Sequence, residues 1–578
     1  WPARLGGMGN VSQVPGEAFE AGGRRDDTEL ARSAGPARAV PIQAGSPESV
    51  LSGSGGPPVA GVTGEPVDAS PARRVGLLEA VLGRSRRGVR RHAVFSGLFV
   101  AAVAARVLVL VAYPPALMYL GDSAAYLDQA WRDLWPGDWR PSGYPIFLRI
   151  LDGPSHVTRI VVVQHLLTLA VAVALYAAAL RAVRRPWLAA LAAAPALLAP
   201  WVLDLGQFVL ADSLFGVLVS AGVAVLAGWD RPRAVAAAGA GLLLGAALCV
   251  RTVGYGPLAV AVVVLVADAV AARGRRAAPV RAAGAATARA VAPVVAFVVA
   301  AAVPVGAYAG WSAAEGKGFA VSAHSGFFLY GRVAPFADCS TISRADLRTL
   351  CDPRPVNQRG APVRYLWPAG SPLRQGHRQV PPGREDLAGT FAHEVVRGQP
   401  WVIATSSARY LAGYLDPVPY ETPKTSRADT WELPTRGTNV LAPDDAHADD
   451  GYFVATAVHS PPAGLLAAWS RFSYAPMPLV GLGLLAGVAA SLLTAGRAIR
   501  ARRAARRRGM GRPVDRLGGP GRLFWLAAGS GVSTLGLSAV TSGFDYRYLG
   551  AVIGPIALAA IIGASAFVAA LRRRRTAA

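Results

Sequence analysis

Apolar stretches of about the length a helix needs to cross a bilayer, roughly 20 residues, recur along this chain. They fall at approximately 94–113, 157–180, 186–203, 206–228, 234–252, 254–272, 288–311, 475–496, 522–542 and 547–570. Only a few residues part the third from the fourth and the fifth from the sixth. The pattern predicts an all-α polytopic membrane protein of about ten spans. Residues 1–75 are rich in Gly, Pro, Ala and Ser and keep no apolar period. Such a composition buries too little surface to offset ordering entropy, so a disordered tail is expected there. No apolar run near the start has the form of a secretory leader.

Arginine clusters give the spans a direction. RRVGLLEAVLGRSRRGVRRH precedes the first, and Arg181, Arg184 and Arg185 follow the second. Arg231 and Arg233 follow the fourth, and Arg273, Arg275 and Arg276 the sixth. RAIRARRAARRRGMGR follows the eighth and RRRR the tenth. With ten spans, every cluster falls on one side, as cytoplasmic anchors do. The reading is then a plasma-membrane protein with both termini cytoplasmic. Residues 76–312 form an N-terminal membrane module whose first external loop is 114–156. Residues 313–474 form an extracytoplasmic domain, α/β or irregular, and 475–571 carry the last spans before a basic tail, 572–578.

Composition agrees: 53% of residues are hydrophobic and 16% charged, against about a quarter charged in soluble chains. The net charge of +24 lies beside the spans and comes with no nucleic-acid-binding signature, so nucleic acid is not an expected partner. GWSAAEGKG lacks the phosphate-loop spacing, and FAHEVVRG has Arg397 where a zinc protease needs its second His. DDAHADD at 444–450 reads as a solvated acidic loop. Of the three cysteines, Cys339 and Cys351 lie close together in the polar segment. They are either free thiols or, in an oxidising compartment, a disulfide.

The chemistry-bearing residues gather on the external side. LMYLGDSAAYLDQAWRDLWPGDWRPSGYPIFL, 117–148, follows the first span and carries Asp122. That carboxylate is either a base at a low-dielectric boundary or the N-cap of a helix over SAAYLDQAW. Asp128 reads as a surface residue of the same helix. Arg251 and Arg547 stand at external span ends, where they are not topology anchors. A guanidinium there suits a phosphate or carboxylate, or pairs with Asp204, Asp212 or Asp545 to join helices. Asp212 is expected about two turns inside the fourth span, and intramembrane acids usually face a bundle interior or cavity. His165 reads as a packed helix residue. His324, Tyr144 and Tyr548 complete the candidate substrate contacts.

GDSAAY, RPSGYPIFL, APWVLDLGQFVLADSLF, LGAALCVRTVGYGPLAV and FDYRYLGAVIGPIAL together resemble the GT-C superfamily of membrane glycosyltransferases. Within it the likeness is to the bacterial relatives of protein O-mannosyltransferases and of the lipid A aminoarabinose transferase. It covers about 94–312 and 475–570, with SGFFLYGRVAPFADC and FAHEVVRGQPW in a variable insert. The resemblance implies transfer of a sugar from a polyprenyl-phosphate carrier to a glycan, lipid or protein acceptor outside the membrane. Asp122 would orient or deprotonate the acceptor, Arg251 or Arg547 would stabilise the departing phosphate, and the anomeric carbon would invert. Many members carry two adjacent acids in the first loop. Here Ser123 follows Asp122, which argues against a two-acid or metal-dependent scheme. No cofactor is indicated, although a divalent metal stays open. The alternative is a transporter or lipid flippase, but the halves share no internal repeat and the polar cluster lies off the midplane.

Overall fold

The computed structural model describes residues 91–228, 233–273, 280–324, 326–377, 379–436, 455–507 and 519–575. The expected tail at 1–75 and the acidic loop at 444–450 lie outside the described residues. So do residues 508–518, which include the end of the basic run between the eighth and ninth spans.

The protein is helical, with no named strand among the described residues. The polar segment is therefore helical and irregular rather than α/β. Among the described residues, eight helical segments are long and apolar enough to cross a membrane: Ala93–Ala112, Val157–Val183, Pro186–Gln207, Thr252–Ala272, Thr287–Ala314, Met477–Ala505, Gly519–Thr541 and Tyr546–Arg573. The expected fourth and fifth spans are instead shorter apolar helices, Ala211–Ala227 and Ala234–Val250. Each has 17 residues, a rise of about 25 Å. The protein is a multi-pass membrane protein.

Two breaks interrupt the chain ahead of Ala211–Ala227, and the second delays its start. Helix Pro186–Leu198 stops before Pro200, which has no N–H to offer the carbonyl four residues back. Arg106, buried in the first span, takes up the carbonyls freed there, donating to Leu197 O at 2.7 Å. After the short helix Pro200–Gln207 the chain is extended rather than helical through Phe208–Leu210. There it meets the start of the first loop: Leu117 N donates to Gln207 O at 2.9 Å, and Val209 N to Leu117 O at 3.1 Å. This clip holds the Asp122 loop against the first turn of Ala211–Ala227.

Small residues let the helices approach closely. A Cβ on Gly241 would lie 2.3 Å from Phe297 O, and one on Gly245 2.5 Å from Ala301 O. The pair, four apart, seats Ala234–Val250 on the helix Val280–Ala314, the small-xxx-small packing of membrane helices.

Residues 326–413 have a core of their own. Phe327, Tyr330, Tyr365, Phe391 and Ile403 pack together, drawn mainly from helices Gly326–Val333, Arg384–Gly398 and Pro400–Gly413. Cys339 and Cys351 are joined in a disulfide with Cα atoms 5.8 Å apart. Buried Arg332 ties this domain to the membrane part. Its Nε donates to Ala539 O at 2.6 Å, at the C-terminal end of Gly519–Thr541, where a cation is favoured.

Candidate functional site

Asp122 lies on the helix Leu120–Trp131, which begins at Leu120 with Tyr119 as its N-cap. The N-cap alternative for Asp122 is thereby overturned. It sits in the first turn and spends its oxygens on side chains: Oδ1 on Arg140 Nη2 at 2.8 Å, Oδ2 on Arg547 Nη1 at 3.1 Å. Ser123 steadies the helix start instead. Its hydroxyl accepts from Tyr119 N at 2.8 Å and donates to Val209 O at 2.9 Å.

Arg547 arrives from the opposite end of the sequence because of a helix cap. Asp545 Oδ1 accepts from Arg547 N at 3.1 Å, fixing the start of helix Tyr546–Arg575. Arg547 and Tyr548 thus project from its first turn. Arg547 Nε lies 3.4 Å from Asp545 Oδ2, an ion pair without hydrogen-bond alignment. The Arg547 guanidinium covers Tyr119 and Tyr548, each at 5.2 Å.

Arg251 follows the last residue of Ala234–Val250 in extended conformation. It pairs with Asp212 and lies 5.1 Å from the Tyr548 ring. Asp212 is in the first turn of Ala211–Ala227, not two turns inside a span as expected, because the extended Phe208–Leu210 delays the helix. Tyr548 is therefore shared by the two arginines singled out in the sequence. Asp122, Asp212, Arg251, Arg547 and Tyr548 form one contiguous cluster.

The cluster stays reachable. Asp122, Arg547, Arg251 and Arg140 keep side-chain exposures of 15, 16, 18 and 25%. Burial pushes the Asp122 carboxyl up, but the Arg140 and Arg547 guanidiniums outweigh it and hold it below the usual carboxylate range. Asp545 goes the other way: burial dominates and raises it despite Arg547.

Arg140 does not stand out in the sequence. It lies in the WRPSGY return of the first loop, away from the arginine clusters, which is the same anomaly that marked Arg251 and Arg547. The stack of Trp431 on Tyr119, 5.1 Å between centroids, carries no sequence signal at all.

Two other candidates fall elsewhere. Tyr144 is fully buried, and its hydroxyl donates to Gln164 Oε1 at 2.9 Å. Its ring meets Tyr126 edge-on at 5.1 Å, and its burial and hydroxyl partner make it a packing residue here rather than the substrate contact expected. His324 Nε2 lies 2.9 Å from Glu385 Oε2, at the joint between the first loop and the polar domain. His165 packs as expected, 3.1 Å from Gln207 Oε1. Among the described residues no group of three or more His, Cys, Asp or Glu side chains converges.

No family model and no curated protein matches the chain. Among solved structures, an Archaeoglobus fulgidus oligosaccharyltransferase in its apo form aligns over 85% of this chain with a TM-score of 0.34 and 11% identity. This chain spans about half, 52%, of that chain's length. A likeness of that size assigns no activity.

Proposed function

We propose that this protein is a membrane glycosyltransferase that moves a sugar from a polyprenyl-phosphate donor to an acceptor at the extracytoplasmic face. The observation that carries the reading is Asp122 bridged by Arg140 and Arg547, with Arg251 across the shared Tyr548 ring. Three fixed guanidiniums beside aromatic faces, each paired with a carboxylate that a ligand anion can replace as partner, suit a sugar phosphate. The cations meet the phosphate, and tyrosine and tryptophan rings offer apolar faces to a sugar.

The chemistry follows from the charges. In direct displacement the acceptor oxygen attacks the anomeric carbon as the carbon–phosphate-oxygen bond breaks, and configuration inverts. Negative charge grows on the departing phosphate, where Arg251 and Arg547 are already in place and need no reorganisation. Asp122 is held ionised, so it is a weak base for a ground-state hydroxyl. It fits better as the group that orients the acceptor hydroxyl and takes its proton late, once bonding to carbon has acidified it.

The arginine clusters support an external site with cytoplasmic termini. The Cys339–Cys351 disulfide supports the same sidedness, since such bonds persist in oxidising compartments. The acceptor is a glycan, lipid or protein hydroxyl. The test is purified protein in lipid nanodiscs with a radiolabelled polyprenyl-phosphate sugar and a panel of acceptors. Thermal stabilisation by the donor together with its consumption is expected. Stabilisation without consumption would point to a transporter or flippase and overturn the reading.

A further inference from the structure

The later part of the first loop, which carries Arg140, does not reach Asp122 unaided. Residues 136–140 are gripped from the polar domain along their length. Lys317 Nζ donates to Pro136 O at 2.9 Å and pairs with Asp138 Oδ1 at 2.6 Å. Asp138 O accepts from His324 N at 2.9 Å and Ser322 Oγ at 3.1 Å. Trp139 Nε1 donates to Glu385 Oε1 at 2.9 Å, while the other Glu385 oxygen meets His324. The Trp139 ring stacks on Phe327 at 4.5 Å. Arg140, next in line, has its guanidinium over Phe328 and Trp367, each at 5.6 Å.

We propose that the polar domain completes the transfer site by clamping 136–140, and that Phe328 and Trp367 are positioning residues that hold Arg140 against Asp122. The inference rests on reading the Asp122 cluster as that site. It gives the polar domain a role in the reaction besides any contact with acceptor. His324 then has a role as well: through Glu385 and Trp139 it fixes the clamp, without touching substrate.

A guanidinium on a long side chain has many rotamers, and one aimed at a carboxylate needs something to exclude the rest. Two aromatic faces from another part of the chain do that, and their attraction to the cation strengthens with burial.

The test compares Trp367→Leu, which keeps apolar bulk without a π face, with Trp367→Phe, which keeps the face. Two readouts are taken on the full-length protein in nanodiscs. One is transfer of a labelled polyprenyl-phosphate sugar. The other is pH-dependent carbodiimide labelling of Asp122, read by peptide mass spectrometry, which needs no turnover. Asp122 is faced by Arg140 and Arg547 and by Tyr119 and Tyr126, with Asp545, Asp212 and Tyr548 acting on Arg547 behind it. Losing the Arg140 contact therefore moves its labelling to higher pH. We expect Trp367→Leu to lose transfer about 10-fold, mainly in kcat, with labelling shifted upward, and Trp367→Phe to restore both. Leu and Phe variants that behave alike in labelling, whether both as wild type or both shifted, overturn the positioning role. Absence of transfer in the wild type sinks the glycosyltransferase reading alone, because the labelling comparison still decides this one.

Discussion

Arg547 Nη1 reaches Asp122 Oδ2 at 3.1 Å across 425 positions of sequence. The contact joins the first loop after the first span to the first turn of the last helix. The whole bundle must close before it forms. A site built this way is assembled by the fold rather than by any local motif.

Replacing Asp122 by Asn tests that site most directly. Asn keeps the size and one acceptor oxygen but removes the charge between two guanidiniums. Transfer is expected to fall by roughly 10²–10⁴-fold, the usual worth of a positioned acid–base group. Expression and detergent-extracted size should hold. Turnover within a few-fold of wild type, measured with a labelled lipid-linked sugar, would remove Asp122 from the mechanism.

Arg140→Gln tests the electrostatics. The Asp122 carboxyl is held low because two guanidiniums outweigh its desolvation. With one of them gone, desolvation counts for more and the carboxyl titrates at higher pH. The acidic limb of the pH–rate profile must then move up. The stability sign is the same. A carboxyl whose folded pKa is depressed contributes stability above its unfolded pKa and loses it as pH falls through the folded value. In Arg140→Gln that contribution should be smaller at neutral pH and lost at higher pH on acidification. A profile unchanged from wild type would mean that Arg140 does not act on Asp122.

Ser123→Asp asks whether the position beside Asp122 tolerates a second acid. Ser123 is fully buried, and its hydroxyl bridges Tyr119 N and Val209 O. A carboxylate cannot donate to Val209 O, so two acceptors would face each other away from water. The cost is on the order of 1–3 kcal/mol or more, enough to lower the melting temperature and the folded yield. Wild-type stability with raised transfer would reverse this reading and reinstate a two-acid scheme.

Much of the fold is legible in the chain, and the boundary between what is and is not is physical. Apolar runs announce membrane helices because every backbone polar group in lipid must be satisfied within the segment. Arg251 and Arg547 stand out because they sit at the span ends opposite the arginine clusters, an exception to the charge rule. Arg140 obeys the same logic, but its loop position between Trp139 and Pro141 hides it. The start of the helix at Ala211 is not readable. It depends on Phe208–Leu210 being extended against Leu117, a pairing across about ninety residues. The N-cap assignment of Asp122 fails for a related reason: local sequence offers the cap, and two distant guanidiniums take the carboxylate. Tyr144 reads as a ligand contact because it lies in the RPSGYPIFL return beside the Asp122 segment, while in the fold its hydroxyl is taken by Gln164.

Gly143→Ala probes the return from loop to membrane. A Cβ at Gly143 would lie 2.4 Å from Cys249 O and 3.0 Å from Val250 N. Those are backbone atoms at the end of the helix that presents Arg251, so no side chain can swing aside to make room. Helix Gly143–Ile150 must shift, and with it the segment that carries Arg140 three residues earlier. Overpacking of this kind costs about 1–3 kcal/mol, while Ala inside a helix returns a few tenths to about 1 kcal/mol over Gly. The net expectation is a modest fall in thermal stability with a larger fall in transfer, because the strain lands between two arginines of the site. Thermal unfolding in nanodiscs and single-turnover transfer separate the two effects. A variant as active as wild type would mean that the spacing between this return and the Arg251 turn is not tuned for the reaction.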